Sequence, residues 1–306
     1  MDIKLKKYTT FKIGEEPKNF FIVKNVEDIN SVFLKIKNEK YFILGGGSNI
    51  LISENIKEYN IIKLENNFIE FSDNIVNVSA SYYFQLFIND AINKSLKGLE
   101  WGAGIPGTVG GAIFGNSGSF GGEIKDNILE VEVYNIKNKK IEILKKIDCN
   151  FSYRSSIFKE SKNKYIILSA KFLLEKIDNN IEIKNIYNQN LEKKKNTQPI
   201  GEYSAGCVFK NIIYDEKNEK LMNFMKNYKE DIIFKEKKQI PTAFIIDKLG
   251  LKGLEENNAE ISNVHANFIV NKSNAEYRDV KALIEIIKEK IKIQFNINLE
   301  EEIEEI

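Results

Sequence analysis

Cysteine, histidine, arginine and proline are all scarce in this chain of 306 residues. Its two cysteines, Cys149 and Cys207, are too few for a disulfide framework or a four-cysteine metal site. The single histidine, His265, argues against a zinc site of the usual kind. We therefore expect neither disulfide-based stability nor a metal centre.

The chain also lacks long hydrophobic runs and a charge of one sign. No apolar run reaches the roughly 18 residues of a membrane-spanning helix, and charges interrupt the N-terminal stretch MDIKLKKYTTFKIG, which argues against a signal peptide. The 45 basic residues nearly balance the 44 acidic ones, so a net charge of +1 gives no reason to expect nucleic-acid binding. We expect a cytoplasmic protein, a monomer, with no membrane or nucleic-acid partner.

The two arginines stand out because lysine supplies every other basic side chain. A position that keeps arginine is a candidate for one that needs a planar, bidentate fork. Arg154, in the segment YRSS, could bind a substrate carboxylate or a developing enolate, with an ordinary salt bridge as the alternative. Arg278 lies near Glu276 and Asp279 and is expected to be a solvated surface residue.

Glycine is unevenly distributed: of 18, three are consecutive at 45–47 and ten lie between 98 and 122. Residues 41–53 predict a strand, a three-glycine turn and a second strand. The segment GLEWGAGIPGTVGGAIFGNSGSFGG contains a formal G-x-G-x-x-G, but no apolar strand precedes it and Pro106 removes a backbone donor. We interpret it as an irregular loop offering N–H groups to a diphosphate, with a turn system that binds nothing as the alternative.

Hydrophobic periodicity predicts a strand-rich first 175 residues, including a hairpin of 129–136 with 140–144. The main domain boundary is expected near the polar connector 197–201. In the remainder, a helix at 241–249 ends at Gly250, and a capping box of Ser273 and Glu276 precedes the last helix. The apolar face of that last helix is predicted to be Val280, Leu283, Ile284, Ile287 and Ile291.

Several motifs, in order along nearly the whole chain, carry a family resemblance. They are GGGSN at 45–49, GIPGTVGGA at 104–112, NSGSFGGEI at 116–124, YRSSIFK at 153–159, SAGCVFKN at 204–211, FIIDKLGLKG at 244–253, VHANFIVN at 264–271 and LEEEI at 299–303. The chain thereby resembles the bacterial UDP-N-acetylenolpyruvoylglucosamine reductases. The short separation of Arg154 from Cys207 resembles the shorter subclass, which lacks a substrate-capping loop.

The resemblance implies an α+β fold, with a two-lobed FAD-binding region of the vanillyl-alcohol oxidase type followed by a C-terminal α/β substrate-binding domain. The implied domains are 1–66 and 67–192 for the two lobes, and 193–306 for substrate, with a C-terminal strand that reaches the flavin site. FAD is expected to be bound non-covalently and to be reduced by NADPH. The implied substrate is a UDP-sugar enolpyruvyl ether, and the product is UDP-N-acetylmuramate for peptidoglycan synthesis.

The resemblance also assigns catalytic roles to Arg154, Cys207 and Glu302. After hydride delivery to C3 of the enolpyruvyl group, Arg154 and a protonated Glu302 would stabilise the enolate, and Cys207 would protonate C2. At the position of Cys207, most of the family has serine. A free thiol, with a pKa of about 8.5, is still protonated at neutral pH and is a better acid than an alcohol, although a lone cysteine is often just a small buried apolar residue. Glutamates 300, 301, 304 and 305 are expected to be solvated, and Cys149 to be structural.

Further contacts are implied by motif. The expected FAD contacts are Gly45, Gly46, Gly47, Ser48, Asn49, Gly104, Ile105, Pro106, Gly107, Thr108, Gly110, Gly111, Asn116 and Gly118. The expected substrate contacts are Tyr153, Lys210, Asn211 and His265, of which His265 could equally be structural.

Two other functions remain open from the sequence. An FAD oxidase of the same fold, acting on an alcohol or a sugar, would be favoured by a covalent flavin link through histidine or cysteine, and segment 98–122 contains neither. A catalytically silent UDP-sugar-binding protein is favoured only by the cysteine at position 207, whereas Arg154 and Glu302 argue against it.

Overall fold

A computed structural model describes residues 3–306 and divides the chain into two compact units. The sheet unit comprises residues 17–47 and 57–196, and the C-terminal unit comprises residues 3–16, 48–56 and 197–306. This grouping differs from the predicted three domains because two early segments pack with the C-terminal region. The three-domain division stays a prediction. Within the described residues, no helix combines the length and the apolar character needed to cross a bilayer.

The secondary structure is mixed, with short strands and helices of four to 19 residues. The strands are β1 Asn19–Val23, β2 Tyr41–Leu44, β3 Ile50–Leu51, β4 Asn60–Leu64, β5 Ile69–Ser72, β6 Ile75–Ser79, β7 Leu96–Lys97, β8 Gly118–Ser119, β9 Gly122–Glu123, β10 Ile128–Asn135, β11 Lys140–Lys145, β12 Tyr165–Leu173, β13 Glu175–Lys176, β14 Ile212–Ile213, β15 Gln239–Ile240, β16 Glu255–Glu256, β17 Ala259–Ile261, β18 Ile269–Asn271 and β19 Glu304–Glu305. The helices are α1 Val26–Ile36, α2 Phe84–Asn93, α3 Val109–Phe114, α4 Ile157–Glu160, α5 Ile181–Thr197, α6 Glu219–Met225, α7 Asp231–Lys237, α8 Thr242–Lys248 and α9 Tyr277–Phe295.

The sheet unit begins with a three-stranded parallel sheet in the order β1-β4-β2. Its central strand, β4, buries residues on both faces, as expected of a parallel strand covered on both sides. Helix α1 packs its buried Ile29, Val32 and Ile36 in the same core as Ile62 of β4. Asn25 begins this helix by accepting a hydrogen bond from the backbone N–H of Asp28 (2.8 Å).

A five-stranded antiparallel sheet, in the order β11-β10-β12-β6-β5, forms the rest of the framework of this unit. It confirms the predicted hairpin, since β10 and β11 pair from Glu130 with Lys145 to Asn135 with Lys140. Helix α2 buries one face in the same core as this sheet. Helix α2 precedes the glycine-rich segment 98–122 in the chain, and strand β10 of this sheet follows it.

The C-terminal unit is built around α9, whose predicted apolar face is buried at all five positions. The predicted capping box of Ser273 and Glu276 is wrong. Glu276 is itself the N-cap residue and exchanges side-chain and backbone hydrogen bonds with Asp279, while the Ser273 hydroxyl donates to Asn258. Strands β16, β17 and β18 form an antiparallel sheet, and the last strand, β19, pairs in parallel with β3.

Candidate active site

Two glycine-rich loops of the sheet unit, residues 45–47 and 102–108, lie against each other. The prediction that all of 98–122 is an irregular loop is wrong, because 109–114 form α3 and β8 pairs with β9. A Cβ atom on Gly46 would lie 2.5 Å from the Cα of Gly107, so only bare backbone fits at this contact. Gly47, Gly104 and Gly107 have φ angles of 63°, 70° and 110°, a region that favours glycine. Bare backbone on both loops fits the close approach that a diphosphate, such as that of the predicted FAD, requires.

The second loop is held by Gln85, a residue of α2 that the sequence reasoning missed. Its Nε2 donates to the carbonyl oxygens of Gly102 (2.8 Å) and Ile105 (2.9 Å), and its Oε1 accepts from the N–H of Gly104 (2.9 Å). Three hydrogen bonds from one side chain therefore fix the loop backbone. Nothing in the amphipathic pattern of α2 distinguishes this glutamine from a solvated one.

A lysine that no sequence pattern singles out lies beside the first loop. Lys63 of β4 donates from Nζ to the carbonyl oxygen of Gly45 (3.5 Å). Burial lowers the pKa of Lys63, and the nearby Glu65 carboxylate opposes that shift. An ammonium group beside the three-glycine turn adds a positive charge to the place expected to approach a diphosphate.

Two of the predicted cofactor contacts have protein neighbours that account for the residue type. Gly110 donates its N–H to the carbonyl oxygen of Ala80 (2.8 Å), and a Cβ atom on it would lie 2.8 Å from the Cβ of Ala80. Asn116 is completely buried, and its amide donates to the carbonyl oxygen of Ser152 (2.8 Å). The cofactor roles of Gly110 and Asn116 stay predictions.

Arg154 occupies the second position of a tight two-residue turn. The N–H and C=O groups of Ser152 and Ser155 pair across this turn, each N–H to the other C=O at 3.1 Å. Arg154 has a φ of 54°, the left-handed region that such turns normally give to glycine or asparagine. A non-glycine residue there costs about 1–2 kcal/mol. Backbone strain of this kind is typical of functional sites, where the side chain compensates for its cost.

The guanidinium group of Arg154 is held by neighbours in the same unit. Its Nη2 donates to the carbonyl oxygen of Gly118 (2.8 Å), and its Cζ lies 5.3 Å from the centre of the Tyr153 ring. A Cβ atom on Gly118 would lie 3.3 Å from Nη1, so a larger residue there would crowd the guanidinium. The side chain is partly buried.

Cys207 and Glu302 lie on neighbouring backbone segments of the C-terminal unit, whereas Arg154 belongs to the sheet unit. Cys207 pairs with Phe268 in an antiparallel bridge. On the same segment, the carbonyl oxygen of Val208 accepts a hydrogen bond from the N–H of Glu302 (2.7 Å). Both Cys207 and Glu302 are partly buried. The structure thus brings together two of the three predicted catalytic residues by backbone pairing alone.

The acidic tail is held on both sides of Glu302. The Nδ2 of Asn49 donates to the carbonyl oxygen of Glu302 (3.0 Å), an engagement that its predicted cofactor role did not include. The prediction that Glu301 is solvated is wrong, because Glu301 accepts hydrogen bonds from Lys281 (3.3 Å) and Lys288 (2.5 Å) and its side chain is only 18% exposed. These ion pairs on α9 explain why a run of glutamates is ordered here.

Two of the predicted substrate contacts, Lys210 and His265, belong to the C-terminal unit. The Lys210 ammonium pairs with the Glu300 carboxylate (2.9 Å). The ring of His265 packs edge-on against Phe268, and its Nδ1 is buried without a hydrogen-bond partner among the described residues. Burial, and secondarily the charge of Lys252, lowers the pKa of His265, so its imidazole is neutral at pH 7. A neutral, partly buried ring fits either role predicted for it.

Two family models match the chain. The model described as "FAD binding domain" matches residues 17–143, and "UDP-N-acetylenolpyruvoylglucosamine reductase, C-terminal domain" matches residues 198–306. The first range contains both glycine-rich loops, and the second contains Cys207 and Glu302.

Similar proteins cover nearly the whole chain. The UDP-N-acetylenolpyruvoylglucosamine reductase of Prochlorococcus marinus is 37% identical over 98% of this chain and 94% of its own. That of Pseudothermotoga lettingae is 34% identical over 99% of this chain and 96% of its own. The crystal structure of UDP-N-acetylenolpyruvylglucosamine reductase from Thermus caldophilus has a TM-score of 0.79 and 28% identity, and covers 100% of this chain and 98% of that one. These findings confirm the predicted family resemblance and fold class.

Proposed function

The chain belongs to the UDP-N-acetylenolpyruvoylglucosamine reductase family, and from this premise we propose that it is an FAD-dependent oxidoreductase of peptidoglycan precursor synthesis. It reduces the enolpyruvyl group of UDP-N-acetylglucosamine enolpyruvate to give UDP-N-acetylmuramate, with NADPH as the reductant. The observation that carries the proposal is similarity along 98% of the chain to a relative of that name. The same premise supports a cytoplasmic monomer with a role in cell shape and division.

The residues that would hold FAD are the backbone of the two glycine-rich loops, with Lys63 as a positive charge near the diphosphate. When bound, FAD would supply the redox chemistry: a hydride from NADPH for C3 of the substrate's enolpyruvyl group. Side chains of the protein bind the substrate, stabilise the developing negative charge and provide the proton.

In the proposed mechanism, each side chain acts on one part of the enolpyruvyl group. The fork of Arg154 binds its carboxylate, where negative charge accumulates once C3 has accepted a hydride. Glu302, when its carboxyl group is protonated, donates a hydrogen bond to the same developing charge. Cys207 gives its thiol proton to C2, so that one hydride and one proton are added across the double bond. Tyr153, Lys210, Asn211 and His265 contact the anionic substrate.

Anaerobic spectroscopy separates this function from its two rivals. The purified protein is expected to be yellow, to lose its colour with NADPH, and to regain it when the UDP-sugar enolpyruvyl ether is added. An oxidase would be reduced by an alcohol or sugar and reoxidised by dioxygen, with no response to the enolpyruvyl ether. A silent binding protein would bind the UDP-sugar, as measured by calorimetry, without any change of colour.

The flavin is expected to be bound without a covalent link, because the glycine-rich loops offer backbone groups and contain no histidine or cysteine. Acid precipitation should therefore release all the yellow colour into the supernatant. Denatured protein that keeps flavin absorbance after washing would contradict this prediction.

Gly46→Ala is expected to abolish flavin binding. Its new Cβ would lie 2.5 Å from the Cα of Gly107, so one of the two loops must move away from the other. The ratio of flavin to protein absorbance in the purified variant measures the loss. Gly115→Ala is the matched control, because the nearest atom to its Cβ is 3.8 Å away, and it should bind flavin fully. Equal flavin content in the two variants would show that the loop contact is not needed.

A further inference from the structure

The side chain of Asn116 links the segment that carries Arg154 to residues 123–125 by hydrogen bonds. Its Nδ2 donates to the carbonyl oxygen of Ser152 (2.8 Å), the first residue of the Arg154 turn, and to Oε2 of Glu123 (3.0 Å). Its Oδ1 accepts from the N–H of Lys125 (3.4 Å). Asn116 is 0% exposed, and both the nitrogen and the oxygen of its side-chain amide are bonded to other protein groups. Its side chain therefore has a role inside the protein.

The guanidinium end of Arg154 is fixed from the same short stretch of chain. Gly118, two residues after Asn116, accepts from Nη2 of Arg154 (2.8 Å) and pairs with Glu123 between β8 and β9. Glu123 connects Gly118 with Asn116, since its backbone is paired with Gly118 and its carboxylate accepts a hydrogen bond from Asn116. Backbone and guanidinium of the arginine are consequently held by one cluster, residues 116–123.

Asn116 itself has a φ of 43°, so the chain adopts the left-handed region both at the residue that anchors the turn and at Arg154. Contacts with the surrounding structure hold a strained backbone of this kind in place. The amide of Asn116 provides such a contact, because it bonds the carbonyl oxygen at the start of the turn.

We propose that Asn116 is a positioning residue for the reaction: its amide fixes the turn of Arg154 and so aims the guanidinium at the substrate carboxylate. The inference rests on the proposed function of Arg154. A displacement of about 1 Å in a group that acts on the transition state can cost on the order of 100-fold in rate. Loss of the amide should therefore act on the step in which substrate reoxidises the reduced enzyme.

The test is a double-mutant cycle on the FAD-loaded full chain. The rate at which substrate reoxidises the NADPH-reduced protein is measured by stopped flow for the wild type, Asn116→Ala, Arg154→Lys and the double variant. Asn116→Ala alone should slow this step by about 10- to 100-fold, and should change it by less than about threefold in the Arg154→Lys background. Melting temperature and flavin content are recorded for every variant.

Asn135→Ala is the matched control. Asn135 is also buried, its Nδ2 also donates to a glutamate, Glu142 (3.0 Å), and its Oδ1 also accepts from a backbone N–H, that of Lys137 (3.1 Å). It should lower the melting temperature as much as Asn116→Ala and leave the reoxidation rate unchanged. Should Asn116→Ala fail to fold, Asn116→Gly, which removes the amide and adopts a φ of 43° without strain, enters the same cycle.

The outcomes distinguish this inference from the proposed function. Independent, multiplying effects of the two substitutions would overturn the role of Asn116, as would a wild-type rate in Asn116→Ala. An unchanged rate in Arg154→Lys would instead remove Arg154 from the mechanism and with it the premise of the inference.

Discussion

Arg154→Lys should slow reoxidation of the reduced enzyme by substrate about 100- to 1000-fold, the usual cost of removing one preorganised donor from a developing oxyanion. Lysine keeps the charge but cannot make two parallel hydrogen bonds to a carboxylate or keep the planar contact with Tyr153. Reduction of the protein by NADPH should hardly change. Stopped-flow traces of the two half-reactions provide the measurement.

The chain contains its own control for this substitution. Arg278, the other arginine, has a side chain that is 73% exposed and pairs with Glu54 (2.8 Å), so Arg278→Lys should leave both half-reactions unchanged. Arg154→Gly provides a second check, because glycine adopts a φ of 54° without strain. Because it also loses the guanidinium contacts with Gly118 and Tyr153, it should melt close to the wild type and be inactive in the substrate step. Full activity in Arg154→Lys would contradict the proposed role.

Cys207→Ala should lose about 100- to 10000-fold in the substrate half-reaction, the range that general acids contribute. Cys207→Ser should retain much of the activity, because a hydroxyl can also donate a proton. In the wild type the rate should fall as pH rises through the pKa of the thiol, since the thiolate has no proton to give. This decline should disappear in Cys207→Ser. Wild-type rates in Cys207→Ala would show that water or another group supplies the proton.

Selective alkylation tests the same cysteine without mutation. Burial raises the pKa of Cys149 to about 12, and its side chain is 0% exposed, so it should not react with iodoacetamide near pH 8. Cys207 is only partly buried, and its alkylation should inactivate the enzyme and be prevented by substrate. Peptide mapping by mass spectrometry identifies the modified residue. Activity that survives complete alkylation of Cys207 would contradict its role.

Local patterns predicted the elements of the fold well where a single segment determines them. The hairpin of β10 and β11 and the apolar face of α9 both follow from periodicity within one stretch of chain. The motif at 45–49 likewise predicted a turn between two short strands, β2 and β3. Such features need no information about distant residues.

Features that depend on distant residues were not predictable from one sequence. The two-residue strand β3 pairs with β19, more than 250 positions away, and no local pattern indicates such a partner. The ordered state of the acidic tail depends on Lys281 and Lys288 of α9, so composition alone suggested solvated glutamates. The left-handed backbone of Arg154 was missed for the same reason, because its turn is stabilised by Asn116, which is remote in sequence.

The central claim is that this chain reduces a UDP-linked enolpyruvyl ether, and a single anaerobic turnover in D₂O tests it most directly. Protein reduced with one equivalent of NADPH is mixed with UDP-N-acetylglucosamine enolpyruvate, and the nucleotide products are analysed by mass spectrometry and NMR. We expect one equivalent of UDP-N-acetylmuramate per flavin, with deuterium at C2 delivered from the exchanged thiol. Reduced protein that keeps its bleached spectrum, together with unchanged enolpyruvyl ether, would contradict the proposed function.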